Sequence, residues 1–485
     1  MKQIPMIKNV SVNVALQAKN YLVLSLGTIV FSISINSNAQ SNVNNAINTN
    51  TVIASASLGT NDNKQPTQSY SGKIEQVVSV DAHLLEIYKL IASKKYEEAV
   101  KRIDILLQQY PNFSVALALK SDLLTILNQG NKDVNQTLIL NQQGKMSIDS
   151  KVDNKINPKA PPSPPTYNNE NLISQNKGAS LREEAMARIK SLYERPDPRL
   201  IPRSLLNLAP RQKTALVVDP EKSRIYLYEN VNGRPKFLFD YYITIGKKGV
   251  DKEQEGDNKT PLGVYNLGVP IPKKTLPDMY GYAAMPLSFP NEWDKRNNIT
   301  GTNIWIHGVP SDTYSRPPRA SEGCVVLTNP DLERLFKFTQ VGTTPVVINK
   351  STEWVDLDKW KKERDEALNL VKRWQEAWDT YDFESYKQLY SFNLFKSDKK
   401  NYEEWLKKYF IFFDQKQVRL QNMRHLSIYR YPTNEPTLLI TFEQDMMIPD
   451  VMSKEKGKMK QSVLQKRQYW QYDGIKWEIV YENES

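Results

Sequence analysis

"RASEGCVVL", residues 319–327, holds the only cysteine in a chain of 485 residues. The thiol follows a glycine and precedes Val325, Val326 and Leu327, an apolar, largely β-branched run whose length suits a short buried strand. A lone cysteine forms no intrachain disulfide, so Cys324 is a buried bystander, an intermolecular bridge or a reactive nucleophile. The choice turns on whether a base lies within reach, because the thiolate is the reactive form and histidine is its usual activator.

The chain holds three histidines. His83 sits beside Asp81 in a helical pattern and His425 in a basic strand pattern, and both read as structural or surface residues. His307 differs: it ends the apolar strand "NIWI" (303–306) and is followed by Gly308, whose missing side chain would leave room for a substrate backbone. A strand, a loop and a second strand could bring His307 and Cys324 to the same end of one sheet.

The surrounding segment, residues 212–350, is dominated by strand patterns. "TALVVD" (214–219), "RIYLYE" (224–229), "KFLFDYYITIG" (236–246), "GVYNLG" (263–268) and "TPVVIN" (344–349) are β-rich runs separated by turn formers. One helix is expected over "NPDLERLFKFT" (329–339), capped by Thr328 or Asn329 with Pro330 at its first position.

Three ordered motifs, "HG" at 307–308, "SEGC" at 321–324 and "TPLG" at 260–263 after the "YITIG" strand, resemble the L,D-transpeptidase family, whose catalytic domain is called YkuD. The resemblance covers about residues 212–350 and implies that His307 and Cys324 are the catalytic pair. It further implies acyl transfer on peptidoglycan stem peptides, with Cys324 attacking the L-centre carbonyl of the third residue and releasing a terminal D-alanine. The thioester then passes to an amine of another stem peptide, an amine on a wall-linked protein, or water; no metal or organic cofactor is required. Backbone N–H groups around Gly323 and Cys324 are the candidate oxyanion donors, with Gly308 and Ser321 in the same framework.

Two positions depart from the family pattern. Glu322 stands where His or Arg is common, and it is expected to point away from the thiol or to pair with a base such as Arg319. Val326 stands where Arg or Asn often follows the cysteine, so a substrate carboxylate needs another partner, with Arg319 and Arg316 as candidates. Tyr314, Tyr282 and Trp305 are groove-lining or core aromatics. The charged loop "KKGVDKEQEGDNKTPLG" (247–263) is a candidate cover.

The flanks complete a multidomain chain whose mainly-β catalytic domain lies between an α-helical hairpin and a C-terminal α+β domain. Residues 1–39 read as a signal peptide, with an apolar run at 21–35 and Ser37 and Ala39 before a cut, which points to the periplasm; an uncleaved inner-membrane anchor is the alternative. Residues 40–78 and the Pro/Asn-rich 131–178 read as linkers. Between them, 79–130 carries two or three amphipathic helices, broken near Lys94 and at Pro111; they resemble a tetratricopeptide-type unit or form a plain hairpin, suited to a protein partner or self-association. Residues 179–211 are expected as a helical connector. Residues 356–485 place long amphipathic helices before four alternating strands and resemble the nuclear-transport-factor-2-like (NTF2-like) superfamily.

The formal charge is +11, but the lysines alternate with glutamates in helical patterns and no nucleic-acid-binding motif is present. Three functions compete: a transpeptidase; an L,D-carboxypeptidase that trims tetrapeptide stems, since the pairing of this catalytic domain with an NTF2-like tail resembles that of cell-shape L,D-carboxypeptidases of helical bacteria; and a catalytically weak wall-binding scaffold motivated by Glu322 and Val326.

Overall fold

The computed structural model describes residues 21–26, 29–34, 52–54, 74–76, 79–128, 169–392, 399–414, 418–449 and 459–484. Tyr21–Leu26 pairs antiparallel with Ile29–Ser34, and Val52–Ala54 with Ile74–Gln76. The expected cut after Ala39, the rest of the 40–78 linker and residues 131–168 of the Pro/Asn-rich linker lie outside the described residues.

Among the described residues four helices form the N-terminal unit: α1 (Val80–Ala92), α2 (Tyr96–Gln109), α3 (Ser114–Asn128) and α4 (Asn169–Tyr193). Ser79 caps α1 by accepting the Ala82 N–H at 3.2 Å. The chain reverses at Lys94, which adopts φ 58°, and again in the turn at Pro111 and Asn112. Leu84, Ile87, Ala99, Ile103, Leu106 and Leu119 meet Ala185 and Ile189 in one core, as their three- and four-residue spacing requires. Helix α4 begins at Asn169, inside the stretch expected as linker.

The 179–211 connector is not helical throughout. After α4 it yields Ile201–Pro202 and β1 (Leu205–Asn207), and β1 joins the C-terminal domain as an edge strand. Three residues without alternation give no periodic signal, so only the partner sheet reveals this strand.

The central domain stacks two sheets. The larger comprises β2 (Thr214–Asp219), β3 (Arg224–Val231), β4 (Arg234–Tyr242), β6 (Gly263–Asn266) and β12 (Pro345–Ile348), in the order β6-β12-β2-β3-β4. The smaller comprises β7 (Ile271–Pro272), β8 (Ala283–Pro286), β9 (Trp305–His307) and β11 (Val325–Val326), in chain order. A short parallel pair, β5 (Ile245–Gly246) with β10 (Arg319–Ser321), lies beside them. Leu216, Val218, Ile225 and Leu227 face Met285, Ile306 and Val325 across the core, with Leu332 and Leu335 of the Asn329–Phe336 helix closing one side. That helix is capped by Thr328, whose hydroxyl accepts the Asp331 N–H at 3.2 Å. Pro330 is its second residue rather than its first.

Every residue of "TALVVD" is buried because the large sheet is covered on both faces. Ala215, Val217, Tyr226 and Tyr228 pack against Tyr429, Tyr431, Leu439 and Tyr469 of the C-terminal sheet. The C-terminal domain sets helices Leu357–Asp379, Phe383–Lys387 and Lys399–Asp414 on a sheet ordered β16-β15-β14-β13-β1, with β13 (Arg419–Tyr431), β14 (Thr437–Pro449), β15 (Met459–Tyr472) and β16 (Trp477–Glu484). At the junction Glu363 accepts Arg203 at 2.8 Å and Arg430 at 2.9 Å.

Candidate active site

Strands β9 and β11 are parallel neighbours, with Ile306 opposite Val325 and His307 opposite Val326. Ile306 and Val325 both point into the core. By strand alternation, their neighbours His307 and Cys324 project to the other face. The 17 positions separating them in sequence collapse to adjacent strands.

The imidazole is 4% exposed, and its Nδ1 lies 2.7 Å from the Gly308 carbonyl. A carbonyl can only accept, so Nδ1 carries the proton and Nε2 keeps a free lone pair. Burial, together with the positive charge of Arg316, lowers the imidazole pKa to about 4. His307 is therefore neutral near pH 7, the state a general base needs. Tyr280 packs edge-on against it with ring centroids 5.1 Å apart, and Tyr280 also packs against Trp305 at 5.0 Å.

Cys324 is half-buried, and its thiol donates to the Asn303 carbonyl at 3.5 Å. Burial raises the thiol pKa; the Trp305 N–H, Arg316 and Lys252 act in the opposite direction, and Glu322 adds to the rise. The net is a rise, so the resting pair is a neutral thiol beside a neutral imidazole.

The "SEGC" turn is fixed from three sides. Ser321 Oγ donates to the Cys324 carbonyl at 2.6 Å and accepts the Gly323 N–H at 3.1 Å. Thr260 Oγ1 donates to the Gly323 carbonyl at 2.9 Å and accepts the Gly246 N–H at 3.0 Å. Gly323 has φ +131°, and a Cβ there would meet the Lys259 carbonyl at 2.8 Å. The loop "KKGVDKEQEGDNKTPLG" thus backs the cysteine turn; its Asp257 gathers the Lys252 ammonium and the N–H groups of Glu253, Gln254 and Lys259.

Several expectations change. The Gly323 N–H is already taken by Ser321, so it is not an idle oxyanion donor. The space beside Gly308 is filled by the Asn329 side chain, whose Oδ1 accepts the Tyr282 and Val309 N–H groups and would lie 2.1 Å from an added Cβ. Glu322 points outward as expected, 82% exposed, with Lys247 at 3.7 Å rather than Arg319 as its ion-pair partner. Arg319 is exposed on β10, whereas Arg316 donates to the Met279 carbonyl at 3.4 Å and acts electrostatically on both Cys324 and His307. Tyr314 is 9% exposed and packs between Tyr110 and Phe113 of the helical unit, so it lines no groove at the thiol. Tyr282 is 37% exposed and sits edge-on to Phe336. Asn303, Tyr280 and Lys252 belong to the site without a signal in the sequence reading, and Thr260 enters that reading only as the first residue of "TPLG". Asn303, a non-glycine residue at φ 57°, is the one whose type hints at its conformation.

A cavity of about 640 Å³ lies elsewhere, between the central and C-terminal domains, and includes Lys252, Trp293, Asp294, Arg430 and Tyr431 in its lining. Neither Cys324 nor His307 lines it.

Residues 213–348 match the family model of the L,D-transpeptidase catalytic domain, YkuD, and residues 366–483 match that of the Cds6 C-terminal NTF2-like domain. Both fold expectations hold. The chain is 24% identical over 169 residues to YafK of Escherichia coli K12, a candidate L,D-transpeptidase, over 34% of this chain. It spans 63% of the length of that relative. Among solved structures, Bdellovibrio bacteriovorus Bd1075 is 24% identical, with 59% of this chain and 98% of that chain covered and a TM-score of 0.49. The helical cell shape determining protein Pgp2 of Campylobacter jejuni is 24% identical, with 58% and 95% covered and a TM-score of 0.46.

Proposed function

We propose that the protein, carrying a YkuD L,D-transpeptidase domain and an NTF2-like domain, is a cysteine acyltransferase acting on peptidoglycan stem peptides outside the cytoplasm. The observation that carries the reading is the parallel register of β9 and β11, which turns a neutral, tautomer-fixed His307 and the sole thiol to one face of one sheet.

In this reading His307 Nε2 takes the Cys324 proton as the sulfur attacks the carbonyl of the third stem residue. The tetrahedral oxyanion is met by the Cys324 N–H, since Ser321 holds the Gly323 N–H. Collapse breaks the C–N bond, and the imidazolium returns its proton to the departing D-alanine amine. An amine of a second stem, or of a wall-linked protein, then gives up a proton to His307 Nε2 as it attacks the thioester; the C–S bond breaks, an amide forms, and the imidazolium returns that proton to the departing thiolate. Arg316 supplies the substrate-carboxylate partner that Val326 cannot.

A second outcome uses the same thioester: delivery to water leaves a tripeptide stem. The C-terminal match favours this reading, because the domain pair resembles that of cell-shape L,D-carboxypeptidases. Incubating the purified protein with disaccharide-tetrapeptides and resolving products by mass separates them. Dimers or amine-exchanged stems mark the transferase, and tripeptide alone marks the hydrolase. Unchanged tetrapeptide, or full turnover by Cys324→Ala, overturns the cysteine mechanism.

A further inference from the structure

The loop from Gly308 to Pro318, between β9 and β10, carries Arg316, whose guanidinium donates to the Met279 carbonyl at 3.4 Å beside Tyr280, the ring that packs on His307 at 5.1 Å, and the loop is held from outside the central domain. Tyr314 inserts into the helical unit, with ring centroids 4.6 Å from Tyr110 and 4.9 Å from Phe113. The next residue, Ser315, donates to Glu184 of α4 at 2.5 Å. Arg316 follows, its carbonyl accepting Tyr242 Oη at 2.9 Å and Thr244 Oγ1 at 3.0 Å. Three consecutive residues thus tie the helical core, helix α4 and strand β4 to one loop.

The helical side of the clamp is itself pinned by a buried ionic chain. Glu184 pairs with Arg188 at 2.9 Å, and Arg188 with Asp81 at 2.9 Å. Asp81 pairs with Arg224 of β3 at 2.6 Å, and Arg224 with Asp240 of β4 at 3.2 Å. Arg188 also lies 3.9 Å above the Tyr242 ring, whose hydroxyl holds Arg316. Burying five charges is costly unless each is paired, so the chain fixes how α1 and α4 meet the sheet rather than adding net stability.

We propose that the N-terminal helical unit is a positioning element of the active site, clamping Tyr314 and Ser315 so that Arg316 is held against the Cys324–His307 pair. The inference rests on Cys324 being the reactive thiol. Arg316, Lys252 and Glu322 are the charged groups acting on that thiol, alongside the neutral His307, and of these charges the clamp governs Arg316 alone. Tyr314 and Ser315 are positioning residues.

The test is the pH dependence of iodoacetamide alkylation, which reads Cys324 unambiguously because the chain has no other cysteine. Arg316→Ala raises the apparent thiol pKa by roughly half a unit, about threefold in rate at pH 7, and Arg316→Lys restores it. Tyr314→Leu and Ser315→Ala shift the profile in the same direction by less. The double variant Arg316→Ala/Tyr314→Leu shifts it no further than Arg316→Ala alone. Folded Tyr314→Leu and Ser315→Ala proteins with the wild-type profile overturn the clamp, as does a double variant whose shift is the sum of the singles. Should Tyr314→Leu not fold, Ser315→Ala decides alone. Alkylation needs no stem peptide, so a coupled profile in a protein that leaves tetrapeptides intact upholds the clamp while overturning the enzymatic reading.

Discussion

The Ser321 hydroxyl donates to the Cys324 carbonyl at 2.6 Å while accepting the Gly323 N–H at 3.1 Å, closing the nucleophile's turn on itself. Ser321→Ala strands a buried N–H and frees the carbonyl, which costs about 1–3 kcal/mol. The expected result is a lower denaturation midpoint and about a tenfold or greater loss in muropeptide turnover, because the thiol's host turn loosens. Unchanged turnover in a destabilised variant would show that the turn needs no such brace.

Gly323→Ala is expected to be more severe. At φ +131° an L side chain is strained, and its Cβ would sit 2.8 Å from the Lys259 carbonyl, a backbone atom that cannot rotate away. A loss of about 2 kcal/mol or more in stability and near-complete loss of turnover should appear together, measured by urea unfolding and product analysis. Wild-type behaviour would mean the turn adopts a different backbone in solution.

The pH behaviour follows from two shifts of opposite sense. The thiol is raised, so the alkylation rate of Cys324 climbs about tenfold per pH unit through pH 8 instead of reaching the neutral-pH plateau of a thiolate–imidazolium pair. The imidazole is depressed to about 4 from an unfolded value near 6.5. Between those values the unfolded chain binds the extra proton, so stability falls as pH drops through 6.5 toward 4, by roughly 3 kcal/mol for this buried group. Denaturant titrations at pH 7 and pH 4.5 should differ accordingly, and His307→Gln should flatten the slope. An alkylation plateau between pH 5 and 8 would reverse the assignment of charges.

What could be read from residues alone was the chemistry that depends on local order. "HG" and "SEGC" end apolar β-runs, and strand alternation suffices to put His307 and Cys324 on one face once their strands are neighbours. The Thr328 hydroxyl was legible as a cap because capping is a three-residue interaction. Contacts of long sequence separation were not. Nothing near Tyr314 announces Tyr110, about two hundred residues earlier, and an aromatic residue in a Pro-rich loop reads equally as groove or core. Gly308 suggests room for a substrate, but that room belongs to Asn329. Leu205–Asn207 carried no period at all, and became a strand only because β13 offered an edge.

That edge makes the joint between the domains testable. Glu363, 9% exposed on the Leu357–Asp379 helix, accepts Arg203 before β1 and Arg430 at the end of β13. The two guanidiniums hold its carboxyl below the usual range despite the opposing effect of burial. Removing it leaves two partly buried arginines facing one another, and breaking such a buried pair typically costs about 3–5 kcal/mol. Arg203 keeps Glu353 at 2.7 Å, so the lower part of that range is expected for Glu363→Ala, with Glu363→Gln milder because one hydrogen-bonding oxygen survives. The Cys324 alkylation rate should stay within about twofold in both variants, since neither Glu363 nor its two arginines is among the charged groups that act on the thiol. A loss of thiol reactivity in the folded variants would instead mean that the C-terminal domain reaches the active site through β1 and the large sheet.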